Sequence, residues 1–129
     1  MAKRFPKAIS DKFVESYLGA ALWSSNDESD ESGGEPLDQN YGTEDIAEAS
    51  IVKAINDCNS FIEANSGDLA KAGDDEQNGY DFWLTRNGHG AGFWDRGYDK
   101  GVGKRLSDAS EAFGQLNPVV GDDGKIYFE

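Results

Sequence analysis

The chain has one cysteine, one histidine and only 12 basic residues among its 129, and each scarcity removes a class of protein. A lone Cys58 closes no internal disulfide, so this is not a stapled secreted scaffold. One histidine and one cysteine cannot assemble an ordinary zinc site in a monomer, and no metal is expected. The acidic segments Asp27–Gly33 and Asp122–Gly124 lack the ligand spacing of an EF-hand. No stretch approaches the ~20 apolar residues of a membrane span. Lys3, Arg4 and Lys7 are followed by no apolar run of signal length, so neither a membrane segment nor export by that route is expected. The setting these absences predict is a reducing cytoplasm, with Cys58 acting as a small core residue.

The shortage of basic side chains is uneven. Acids number 25, giving a net charge of −13, and no Lys or Arg occurs from Phe13 to Val52. That stretch holds Glu15, Asp27, Glu28, Asp30, Glu31, Glu35, Asp38, Glu44, Asp45 and Glu48. Contacts to phosphate backbones and anionic leaflets draw their affinity from Lys and Arg, so neither nucleic acid nor a membrane is an expected direct partner. A basic protein is, including one whose site is normally filled by DNA. Asp27, Glu28, Asp30, Glu31, Glu35 and Asp38 are the candidate protein-binding residues, within a wider acid-only segment from Glu15 to Glu48. The competing account of the same residues is a solvated surface that keeps the protein dispersed.

What is present argues for one folded unit. A chain of this length supports one core, and 37% hydrophobic residues with 12% aromatics are enough to build it. A single domain over residues 1–129 is expected. Ser10 and Asp11 mark a helix start, followed by Phe13, Val14, Tyr17, Leu18, Ala21 and Leu22 at helical spacing. Residues 26–42, rich in acids, serine and glycine, read as a mobile loop. A second helix is expected after Thr43, with Ile51, Ala54, Ile55, Cys58, Phe61 and Ile62 as its apolar stripe. It should stop near Asn65-Ser66-Gly67, with a short helical turn through Asp68–Ala72. Leu106, Ala109, Ala112, Phe113 and Leu116 outline a third helix ended by Asn117-Pro118.

Two segments carry strand character. Tyr80–Arg86, the turn-like Asn87-Gly88-His89-Gly90 and Ala91–Arg96 read as a β-hairpin. In one register Trp83 pairs with Trp94 and Asp81 with Arg96. The tail from Val119 to Phe128 reads as a second hairpin around Asp123-Gly124. The expected fold is therefore α+β, three main helices packed on a small antiparallel sheet built from two hairpins, at about 80–96 and 119–128.

The first hairpin gathers the residues with chemical potential. Gly88, Gly90 and Gly92 would permit an anion nest beside Arg86, although the segment lacks the strand–glycine–helix order of nucleotide-binding loops. His89 is a candidate proton shuttle, with Asp95 or Asp81 as its orienting carboxylate. The structural alternative is a turn histidine. Trp83 and Trp94 would stack a planar ligand or anchor a protein partner, with Arg86 holding an anion and Arg96 beside them as a further ligand-binding candidate, or the two indoles would form a second core layer with Arg96 over one of them. No Gly-x-Ser-x-Gly elbow supports nucleophilic catalysis, and no cofactor is implied.

The run Asp81-Phe82-Trp83-Leu84-Thr85-Arg86-Asn87-Gly88-His89-Gly90-Ala91-Gly92-Phe93-Trp94-Asp95-Arg96 resembles the signature of a family of small bacteriophage-encoded and related metagenomic proteins. Ala21-Leu22-Trp23-Ser24-Ser25, Pro36-Leu37-Asp38, Tyr41 and Gly121-Asp122-Asp123-Gly124 are similar to it as well, so the likeness covers most of the chain. It implies a phage accessory protein acting in the cytoplasm of an infected bacterium, and it supplies no catalytic roles. The expected function is a non-enzymatic acidic binding protein, DNA-mimic-like in engaging a basic host or phage protein. The alternative is a small-ligand or enzymatic site on the Arg86–Arg96 hairpin.

Overall fold

The computed structural model describes residues 5–27, 35–89, 92–99 and 101–129, with Asp27 through its backbone alone. The fold is α+β. Helix α1 spans Asp11–Trp23, and the expected cap forms, Ser10 Oγ accepting the Phe13 N–H at 3.2 Å. Ser10 Oγ also donates to Asp75 at 2.7 Å, joining the starts of two helices. Strand β1, Asn26–Asp27, pairs with β2, Glu35–Pro36, in antiparallel register. The middle of the expected acidic loop, 28–34, lies outside the described residues. Its described ends are partly ordered elements: beyond β2, a 3-10 turn at Leu37–Gln39 buries Leu37 in the core, and irregular chain follows over residues 40–42.

Helix α2, Glu48–Lys71, begins later than Thr43. A 3-10 turn occupies Thr43–Asp45, and Ile46 makes an isolated bridge to Ile126, so the chain serves the sheet before it coils. The expected break near Asn65 is a kink within one helix. Asn65 sits at φ −128°, ψ 19°, and its side-chain amide donates to the Phe61 carbonyl at 2.9 Å, competing for the acceptor that the helix ladder would use.

The largest correction concerns residues 80–96, which form no hairpin. Asp75–Arg86 is helix α3, capped by the Asp74 carboxylate accepting the Gln77 N–H at 2.9 Å. Asn87 and Gly88, at φ 67°, end this helix rather than turn a hairpin. Phe93–Asp95 is a 3-10 turn, and α4 follows at Val102–Glu111. The expected tail hairpin is present, β3 (Pro118–Val120) against β4 (Ile126–Phe128), with Gly124 at φ 81° in its turn.

One cluster of buried side chains draws on all four helices and on this hairpin. Phe61 and Phe82 stack at its centre, ring centroids 4.1 Å apart and 7° from parallel. Helices α1 and α3 run side by side, so close that a Cβ at Gly79 would collide with the Phe13 carbonyl. Cys58 is buried as expected, and burial pushes its thiol well above the usual range.

Candidate functional site

Because the central run is helix, turn and 3-10 turn, its chemistry-bearing residues are dispersed. Arg86 does not face a ligand. It is buried on α3, with Nε donating to the Gly114 carbonyl at 2.8 Å and Nη2 to the Phe113 carbonyl at 2.9 Å. Its Nη1 donates to the Tyr17 hydroxyl and to Asp57, each at 2.9 Å. The guanidinium lies 5.5 Å from the Phe113 ring centroid and 5.7 Å from that of Phe82. It therefore pins the turn after α4 to the core. Burial pushes the Tyr17 phenol well above its ordinary range, with Arg86 only partly offsetting it.

Trp83 and Trp94 do not share a face. Trp83 is fully buried against Tyr17 and Phe128, its indole N–H donating to Ser24 Oγ at 2.9 Å, whereas Trp94 is 59% exposed. Arg96 packs over no indole among the described residues; it holds Asp81 through two hydrogen bonds, 3.0 Å from Nε and 2.7 Å from Nη2. Asp81 and Arg96 thus meet as one hairpin register would have had them meet, though across a helix and a following turn. Asp81 is fully buried, and that burial pushes its carboxyl above the usual range while Arg96 pulls it partway back.

His89 and Asp95 are both exposed, and no hydrogen bond joins them among the described residues. His89 is fixed through its backbone, its N–H donating to the Leu84 carbonyl at 3.1 Å. Of the nest glycines, Gly88 and Gly92 have φ of 67° and 140°, and Gly90 lies outside the described residues. Among the described residues no group of three His, Cys, Asp or Glu side chains is placed to hold a metal ion. No described helix is long and apolar enough to cross a membrane.

A cleft of about 740 Å³ is lined by Ser24, Ser25 and Asn26, where α1 leads into β1, and by Pro118–Val120 of β3. Asn87 and His89 line it, as do Gln115, Asn117 and Glu129. The lining is rich in amides and hydroxyls and includes no Lys or Arg, which makes it a poor seat for a phosphate. Sequence reasoning found His89 here but missed the cleft itself. The one available signal was Pro118, a residue confined to sheet edges.

The candidate protein-binding acids fall into two groups. Glu28, Asp30 and Glu31, with the side chain of Asp27, lie outside the described residues. Glu35 and Asp38 are exposed, as are Glu15, Glu44 and Glu48, and none of these five enters an ion pair among the described residues. The ion pairs found there use Asp57, Asp68, Asp81 and Asp108, all beyond the acid-only stretch.

No family model, curated protein or solved structure matches the chain.

Proposed function

We propose that the protein is a non-enzymatic accessory protein of bacteriophage type, which engages a basic protein surface, such as one that otherwise holds DNA. The observation supporting this reading is the division of its acids. The acids that hold cations of the same fold, Asp57, Asp68, Asp81 and Asp108, all lie beyond the acid-only stretch, while Glu15, Glu35, Asp38, Glu44 and Glu48 within it face solvent without an ion-pair partner among the described residues. Uncompensated charge of one sign steers association and sets the sign of the partner. The partner would be met in the cytoplasm of an infected bacterium.

The test is capture from bacterial lysate at low and high salt, with wild type and with a variant carrying Glu35→Gln, Asp38→Asn, Glu44→Gln and Glu48→Gln. A basic DNA-processing protein should be held at low salt, released at high salt, and lost by the variant. Capture that ignores both salt and the substitutions would count against the reading. A second reading, a small ligand in the cleft with His89 moving a proton, rests on the position of His89 at its lining. Arg86 and Trp83 are committed to the interior and take no part in it.

A further inference from the structure

Each small sheet has a ladder position whose backbone groups point away from its partner strand, Asn26 in β1 and Val120 in β3, and both residues line the same cleft. In the tail hairpin, Asn117 and Glu129 exchange backbone hydrogen bonds of 2.8 and 2.9 Å, and the Gly121 N–H donates to the Lys125 carbonyl at 2.8 Å. Pairing alternates along an antiparallel ladder, so Val119 bonds inward to Tyr127, while Pro118 and Val120 direct their backbone groups away from β4. Two of the matching groups of β4 are bonded on its far side. There the Ile126 carbonyl accepts the Ala47 N–H at 2.8 Å, and the Phe128 N–H donates to Ser50 Oγ at 2.9 Å.

The same alternation applies to the first sheet. Leu37 N–H donates to the Ser25 carbonyl at 2.8 Å, which makes Asn26 opposite Pro36 a non-bonded pair. The backbone groups of Asn26 therefore point away from β2, and Asn26 lines the cleft. Pro36 and Pro118 both occupy positions whose missing N–H costs the ladder nothing. The outward groups of Val120 and Asn26 have no backbone partner among the described residues.

We propose that this cleft is a docking slot for an extended peptide segment of a basic partner protein, which adds as a strand to β3 and faces β1 across the slot. The mode is strand addition, in which main-chain hydrogen bonds give affinity and alternate side chains give selectivity. The basic character of the occupant rests on the function proposed above. It is supported locally by Glu129 in the lining and by the lack of any Lys or Arg there.

The test uses two blocked octapeptides of alternating lysine and valine, one unmodified and one N-methylated at alternate residues, titrated into the isotope-labelled full chain at low ionic strength. The unmodified peptide should shift the amide signals of Val120 and Asn26 and slow hydrogen exchange at Val120. N-methylation keeps the charge and removes the ladder donors, and should weaken binding about tenfold or more. Val120→Pro should do the same, because it deletes an outward N–H and leaves the inward bonds of Val119 and Gly121 intact. The methylated peptide decides the matter independently should that variant unfold. Equal binding of both peptides, with shifts over Glu35–Glu48 instead, would overturn strand addition and leave the acidic-binder reading standing. Salt-insensitive binding at Val120 would uphold the slot and count against a charge-driven partner. No binding of either peptide would overturn both.

Discussion

Arg96 grips Asp81 side-on, one nitrogen to each carboxylate oxygen, and so ties the turn after α3 back onto the helix. The partners are unequal in burial, Asp81 fully enclosed and the Arg96 side chain 34% exposed. The pair also holds the Arg96 guanidinium above its ordinary range.

This inequality predicts an asymmetric response. Arg96→Ala leaves a buried carboxylate without its counterion and should cost about 3 kcal/mol, whereas Asp81→Asn leaves an arginine that water can reach and should cost less. The sign with pH follows from Asp81 being pushed up. Its contribution to stability is complete below the ordinary carboxylate range and is lost as pH rises through the raised folded value. The deficit of Arg96→Ala should therefore be largest near neutral pH and shrink at about pH 5. Thermal unfolding of both variants at the two pH values checks this, and a deficit that grows on acidification would contradict it.

Arg86→Met should destabilise by about 3–5 kcal/mol, because it strands the Tyr17 hydroxyl, Asp57 and two carbonyls in or near the core. Urea unfolding measures the loss. A neutral result would mean that the buried guanidinium is dispensable to the fold.

Glycine substitutions on the paired helices should move in opposite directions. Gly79→Ala drives a methyl into the Phe13 backbone, which yields only if the helices part, and should cost about 2–3 kcal/mol or more. Gly19→Ala meets nothing within 4 Å and should stabilise by about 0.5–1 kcal/mol through helix propensity. Calorimetry of the two variants is sufficient.

His89→Ala should leave thermal stability within about 0.5 kcal/mol of wild type, since the side chain is exposed and the anchoring bond comes from its backbone. Loss of partner or ligand binding at unchanged stability would then assign His89 to recognition.

Much of the architecture was legible because it rests on local chemistry. Ser10 caps α1, the stripe through Cys58 and Phe61 builds α2, and Asp123-Gly124 turns the tail. The reading failed where a helix is buried nearly all round. From Asp81 to Arg86 every residue is enclosed, so no polar face marks a helical period, and a run of Phe, Trp, Leu and Thr carries strand propensity. The evidence for α3 lay just upstream, in Asp74, Asp75 and Glu76 at its positive end. Asn87-Gly88 misled because a helix terminus and a hairpin both want a residue of positive φ. The site was less legible than the fold. Asn26 and Val120 matter through backbone direction, which depends on pairing across the sheets and has no signature in residue type.

The side-by-side docking of α1 and α3 also sets an order of events during synthesis. Ser16 donates to the Glu76 carbonyl from 60 residues away, and the Phe13 carbonyl abuts Gly79. A chain emerging from the ribosome must hold α1 as an amphipathic segment, its apolar side uncovered, until α3 has followed it out. A fragment halted after α2 would lack the surface on which α1 closes, and should behave as a sticky, partly collapsed polymer.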